Sequence, residues 1–108
     1  MTIAEEIYNQ LGGHRFTVMT GAKNFIADKY SLRMSIPRNV SKANRLEITL
    51  TPMDTYTVRF YRYTPMRIDH KRGMVINEKV TEVKTFEDIY CFQLQELFTE
   101  VTGMYTRL

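Results

Sequence analysis

A period-two alternation of apolar and polar residues fills the middle of this chain and constrains its fold more than any other feature. Successive side chains of a β-strand point to opposite faces, so alternation predicts strands that are buried on one face only. In the clearest case, Tyr56, Val58 and Phe60 share one face, while Arg59 and Tyr61 share the other. The pattern predicts strands over about residues 23–27, 31–36, 46–51, 55–63 and 74–83.

Both ends of the chain show a helical period instead. Residues 2–11 begin with Thr2 and Glu5 at the spacing of a capping box, which predicts a short N-terminal helix. Residues 85–103 carry apolar side chains at helical spacing as far as Gly103, a residue type typical of helix ends, which predicts a C-terminal helix.

The segments between these elements are short, which favours an antiparallel meander. Residues 14–21 fit a short helix or a strand equally well, and residues 64–73 are predicted to be a polar connector. The length of 108 residues suits one domain. We therefore predict a single α+β domain over residues 1–108, in which an antiparallel sheet of four to five strands is flanked by an N-terminal and a C-terminal helix.

Charge is distributed unevenly along the chain. Residues 14–72 contain twelve Lys and Arg against four Asp and Glu, whereas residues 1–13 and 73–108 together contain three against eight. The net charge of +3 therefore hides a basic middle and acidic ends. A clustered positive field attracts polyanions or acidic protein surfaces, which points to a macromolecular partner.

If the helices cover one face of the sheet, several basic and aromatic residues share its open face. Cations neutralise phosphates and tyrosine rings stack on bases, a combination that serves single-stranded nucleic acid. The 64–73 connector adds a dense basic run, which could also be an ordinary solvated loop. The predicted residues for binding nucleic acid or a partner are Lys23, Arg33, Arg59, Tyr61, Tyr63, Arg67, Lys71 and Arg72.

The acidic residues of the C-terminal part support an alternative interpretation. They could mimic a phosphate backbone and occupy the nucleic-acid channel of a host enzyme, or they could simply form the polar face of an amphipathic helix. They are Glu78, Glu82, Glu87, Asp88, Glu96 and Glu100.

The sequence contains no recognisable catalytic or metal motif. His14, His70 and Cys91 lie far apart and lack the paired spacing of a zinc site. Residues 19–24 contain Gly and Lys but lack the Gly-Lys-Ser/Thr ending of a phosphate loop. We therefore expect no cofactor, no metal and no enzymatic activity. An enzyme acting on a small substrate through Cys91 or a histidine is the least favoured alternative.

Several short runs form a pattern that covers nearly the whole chain. They are Gln10-Leu11-Gly12-Gly13, Met19-Thr20-Gly21-Ala22-Lys23-Asn24-Phe25, Ile48-Thr49-Leu50, Met53-Asp54-Thr55-Tyr56, Tyr90, Gln93-Leu94-Gln95 and Phe98-Thr99-Glu100-Val101-Thr102-Gly103. The pattern, and its second run above all, resembles a group of small proteins encoded by phages and other mobile elements of bacteria. The resemblance implies an element-encoded protein that acts in a bacterial cytoplasm, and it carries over no catalytic residue.

We therefore predict a non-enzymatic phage or mobile-element accessory protein that binds a macromolecule, by default nucleic acid, through the basic strand face and the 64–73 connector. The alternative is a protein-binding inhibitor of a host defence enzyme, as many anti-CRISPR proteins are. Its partner would then be a host protein that handles nucleic acid.

The expected location is the cytoplasm of a bacterial host. The acidic N-terminus is not a secretory signal, a single cysteine fits a reducing compartment, and no stretch approaches the about 20 apolar residues of a membrane span. A membrane partner is not expected. An exposed edge strand could make a homodimer.

Overall fold

The computed structural model describes residues 2–106, in which α-helices lie on one face of a five-stranded antiparallel sheet. The predicted α+β fold is confirmed. The five strands follow the order β1-β2-β3-β4-β7, and β5 and β6 form a separate two-stranded sheet. The elements are α1 (Ile3–Leu11), α2 (His14–Thr20), β1 (Lys23–Ala27), β2 (Ser31–Ser35), β3 (Arg45–Leu50), β4 (Tyr56–Thr64), β5 (Arg67–Asp69), β6 (Met74–Ile76), β7 (Lys79–Ile89), a 3₁₀ turn (Cys91–Gln93) and α3 (Leu94–Thr102).

The core lies between the helices and the apolar face of the sheet. Leu32 of β2 is in register with Ile48 of β3, which is in register with Val58 of β4, and all three are buried. From the helices, Phe16 and Phe98 meet edge to face with ring centroids 5.0 Å apart. Burying a side chain of this size stabilises a fold by about 1.5–3 kcal/mol, so this face determines which side of the sheet stays in water.

Both helices at the N-terminus follow from local signals. The Thr2 side chain accepts a hydrogen bond from the Glu5 backbone N–H at 3.1 Å, which confirms the predicted start of α1. The ambiguous segment 14–21 is the helix α2, because Phe16 and Thr20 are one helical turn apart and both are buried. None of the helices in residues 2–106 combines the length and the apolar character that crossing a membrane requires.

The prediction of a helix from residue 85 is wrong at its N-terminal end. Residues 85–89 belong to β7, where Phe86 lies opposite Val58 and Ile89 lies opposite Tyr56. The nine-residue strand β4 presents unpaired backbone groups along this edge, and pairing with β7 satisfies them. The Phe86 ring also packs edge-on against Phe60 at 6.3 Å, so tertiary contacts override the helical spacing of these residues.

The predicted polar connector 64–73 is also wrong, because it contains β5 and the turn of a hairpin. The predicted strand 74–83 is correspondingly split into β6 and the start of β7. The turn forms because the Asp69 carboxylate accepts hydrogen bonds from the backbone N–H groups of Lys71 and Arg72, at 3.1 and 3.3 Å. Such an Asx turn reverses the chain without apolar residues, so alternation did not reveal it.

Candidate functional site

The uncovered face of the sheet carries a row of alternating charges, here called the charge ladder. Arg33, Glu47 and Arg59 are neighbours on β2, β3 and β4, with nitrogen–oxygen distances of 3.8 Å from Arg33 to Glu47 and 3.6 Å from Arg59 to Glu47. Asp28 lies 3.6 Å from Arg33, and Glu82 accepts a hydrogen bond from Arg59 Nε at 2.8 Å. The ladder contains more carboxylates than guanidinium groups, so it offers no free positive charge to a polyanion.

The tyrosines of this face are covered by cations of the same chain. Tyr61 is only 8% exposed, and the Arg59 guanidinium carbon lies 4.2 Å from its ring centroid. The Tyr63 ring lies under Arg45 at 5.3 Å, and its hydroxyl donates to Glu78 at 2.7 Å, a hydrogen bond that raises the pKa of Tyr63. These internal cation–π contacts occupy the ring faces that a nucleobase would need for stacking.

The ion pair between Arg59 and Glu82, at one end of the charge ladder, should make the free energy of unfolding depend on pH. The hydrogen bond from Arg59 lowers the pKa of Glu82 in the folded protein. The contribution of this ion pair to stability is therefore complete above the pKa of Glu in the unfolded chain, about 4.3, and it is lost as the pH falls through the lowered pKa of the folded state. Because both side chains are partly exposed, we expect Glu82→Gln to reduce the free energy of unfolding by about 0.2–1 kcal/mol at neutral pH.

Urea denaturation at neutral pH and at about pH 3 measures this difference, which should shrink at the lower pH. Glu87→Gln is the matched control, because Glu87 is an exposed carboxylate on the same strand with no ion pair to the rest of residues 2–106. Equal effects of the two substitutions at both pH values would contradict a specific contribution of the ladder.

Three of the cations that have no carboxylate partner within residues 2–106 meet at one end of the sheet, where loop 36–44 joins β2 to β3. Arg38 and Lys42 of this loop and Arg62 of β4 line a cleft of about 650 Å³, here called the basic cleft. All three side chains are exposed, and none is ion-paired with a carboxylate of residues 2–106. Arg62 donates to the Lys42 backbone carbonyl at 2.9 Å, so the strand and the loop are joined.

Side-chain amides hold loop 36–44 in place. Asn39 accepts a hydrogen bond from the Ser41 backbone at 3.0 Å and donates to the Ala43 carbonyl at 2.8 Å. Asn44 donates to the Tyr63 carbonyl at 2.8 Å and accepts from the Tyr63 backbone N–H at 2.7 Å, which extends the pairing of β4 by one residue. The two loop cations are therefore presented from a backbone that is attached to the sheet.

The predicted binding residues divide into groups with different surroundings. The structure places Arg33, Arg59, Tyr61 and Tyr63 on the uncovered face, Lys23 on the edge strand β1, and Arg67, Lys71 and Arg72 on the β5–β6 hairpin.

Sequence reasoning missed the basic cleft. Arg62 has the parity of the core residues Val58 and Phe60 but extends beyond the part of β4 that the helices cover. Two sequence features could have revealed the cleft: the position of Arg62 on the core side of β4, and the two cations Arg38 and Lys42 in a loop rich in Pro, Asn and Ser.

Comparison with protein-family models, curated proteins and solved structures gives no match to this chain. The resemblance to phage and mobile-element proteins therefore stays a prediction. Within residues 2–106, no group of three or more His, Cys, Asp or Glu side chains is arranged to hold a metal ion. A function for this α+β domain therefore has to be inferred from the chemistry of its surface.

Proposed function

We propose that this chain is a non-enzymatic nucleic-acid-binding protein that contacts the phosphate backbone through the basic cleft. The observation that carries the proposal is the convergence of Arg38, Lys42 and Arg62 on one concave surface whose described lining contains no carboxylate. Uncompensated cations of this kind release counterions from nucleic acid, which is the main source of sequence-independent affinity. The guanidinium groups suit bidentate contact with phosphate, and the lysine adds a mobile point charge.

The position of the cleft also favours an oriented approach to a polyanion. The turns and the last residues of β7 at the opposite end of the sheet carry three carboxylates, Asp28, Asp54 and Asp88, and one exposed cation, Lys29. The Asp28 carboxylate pairs with Arg33. A protein whose two ends differ in net charge turns its more basic end toward a negatively charged polymer. Because the tyrosine rings are covered, the contacts are to phosphates, which position a protein but do not read sequence.

A salt titration tests the proposal. We compare the wild type with Arg38→Gln/Lys42→Gln for binding to a labelled random-sequence single-stranded oligonucleotide by fluorescence anisotropy, over about 50–200 mM salt. Two lost phosphate contacts should weaken binding by about tenfold and reduce the slope of log K against log salt by about 1.4. Both substitutions remove the positive charge and leave a shorter, neutral polar side chain.

The matched control is Arg15→Gln/Lys29→Gln, which removes the same two charges from exposed positions on α2 and in the turn before β2. This control should change the affinity and the slope much less than the cleft variant. Equal losses in the two variants, or no binding by the wild type at low salt, would overturn the proposal. The second result, combined with stoichiometric capture of one host protein, would favour the inhibitor of a defence enzyme.

A further inference from the structure

The β5–β6 hairpin projects from the sheet without a partner in residues 2–106. Every residue from Pro65 to Thr81 is exposed except Asp69, and β5 and β6 pair only with each other. Its apolar side chains are open to solvent, with Ile68 56% and Val75 58% exposed on one face and Met74 55% exposed on the other. An isolated two-stranded hairpin is marginally stable in water, so a surface that covers these side chains would stabilise it.

A groove on the outer side of α3 is apolar and acidic, which complements the apolar and basic surface of the hairpin. It has a volume of about 500 Å³, and its described lining includes Phe92, Tyr105, Glu96 and Glu100 but no cation. Phe92 is 77% exposed and Tyr105 is 69% exposed, so the groove offers two large apolar surfaces next to two carboxylates. We call it the α3 groove.

The hairpin and the α3 groove both expose apolar side chains, and their charges have opposite signs. It presents Arg67, Lys71 and Arg72 against the single carboxylate of Asp69, whereas the α3 groove presents Glu96 and Glu100. Charges of opposite sign around an apolar centre are the arrangement of a specific protein interface, with anchors in the middle and charged groups at the rim.

We propose that two copies of this chain form a dimer in which the β5–β6 hairpin of each copy docks into the α3 groove of the other. Within one copy, the hairpin and the groove residues Phe92 and Tyr105 are all exposed, so the hairpin does not fill the groove of its own chain, and the groove that it fills belongs to a second copy. Reciprocal docking uses the same two surfaces twice and closes the assembly by two-fold symmetry. Because docking occurs twice, the buried area is twice that of a single hairpin in a single groove. A stable interface buries about 800 Å² per partner.

Charge reversal in mixed variants tests this arrangement. The full-length wild type should be dimeric by analytical ultracentrifugation. The hairpin variant Lys71→Glu/Arg72→Glu and the groove variant Glu96→Lys/Glu100→Lys should each be monomeric, with dissociation constants raised by more than about tenfold, because like charges then face each other. An equimolar mixture should form a heterodimer, since the reversed hairpin meets the reversed groove and the two unchanged surfaces also match.

Restoration of the dimer in the mixture excludes misfolding of either variant. A monomeric wild type, variants that remain dimeric alone, or a mixture that remains monomeric would each overturn the proposal. Arg38 and Lys42 are unchanged in both variants, so this outcome is independent of the oligonucleotide test.

Discussion

Truncation of Phe98 should cost this protein about 3–5 kcal/mol of folding free energy, which is a large part of the about 5–15 kcal/mol of a typical domain. Phe98 of α3 is 1% exposed, and its ring contacts Phe16 of α2 and Phe60 of β4, with centroids at 5.0 and 6.5 Å. Phe98→Ala therefore removes the side chain that joins two helices to the sheet and leaves a cavity among large neighbours that cannot all move inward.

Thermal unfolding followed by circular dichroism measures the effect, which should lower the Tm by at least about 12 °C for a domain of this size. Phe92→Ala is the matched control, because the same ring is removed from a side chain that is 77% exposed. At a concentration where the chain is monomeric, the control should cost less than about 1 kcal/mol. Similar losses for the two variants would contradict the assignment of Phe98 to the centre of the core.

Strands β3 and β4 could be predicted from the sequence because alternate side chains are buried along most of each strand, which the alternation of residue types records directly. Strands β1 and β2 show the same alternation of residue types, although β1 is exposed along its whole length and β2 is buried at every position except Arg33. Residues 85–89 could not be predicted, because their apolar spacing fits both a helix and a strand buried on one side. Pairing with β4 decides between the two, and that pairing joins residues far apart in the chain. The hairpin was missed for a different reason, since the Asp69 carboxylate makes its turn without any apolar pattern.

The open face of the sheet was also only partly predictable, because the positions of its residues follow from the local sequence but their ion pairs do not. Parity places Arg33, Glu47 and Arg59 on one face, and the sequence predicted two of these three as free binding cations. Their mutual neutralisation depends on the register that sets Glu47 between them, with Glu82 added from β7. The basic cleft likewise depends on a loop and a strand end that meet only in the folded chain.

Gly12→Ala should reduce the free energy of unfolding by about 2–4 kcal/mol, from backbone strain and a displaced hydrogen bond. Gly12 ends α1 with φ +124°, a conformation that L residues rarely adopt. A Cβ there would lie 3.0 Å from Gln95 Nε2, the amide that donates to the Leu11 carbonyl at 2.9 Å and joins the end of α1 to α3. The substitution therefore strains the helix end and disrupts its contact with α3.

A double-mutant cycle with Gln95→Ala separates the two causes, measured by urea denaturation. In the Gln95→Ala background the amide is absent, so Gly12→Ala should cost only the backbone strain, and the two losses should not add. Gly73→Ala sets a lower limit for the strain, because Gly73 has a φ of +63°, in the left-handed region that L residues tolerate better than +124°, and a Cβ there meets nothing within 4 Å. Full additivity in the cycle, or a loss for Gly12→Ala no larger than that for Gly73→Ala, would show that close packing between Gly12 and Gln95 does not stabilise the joint between α1 and α3.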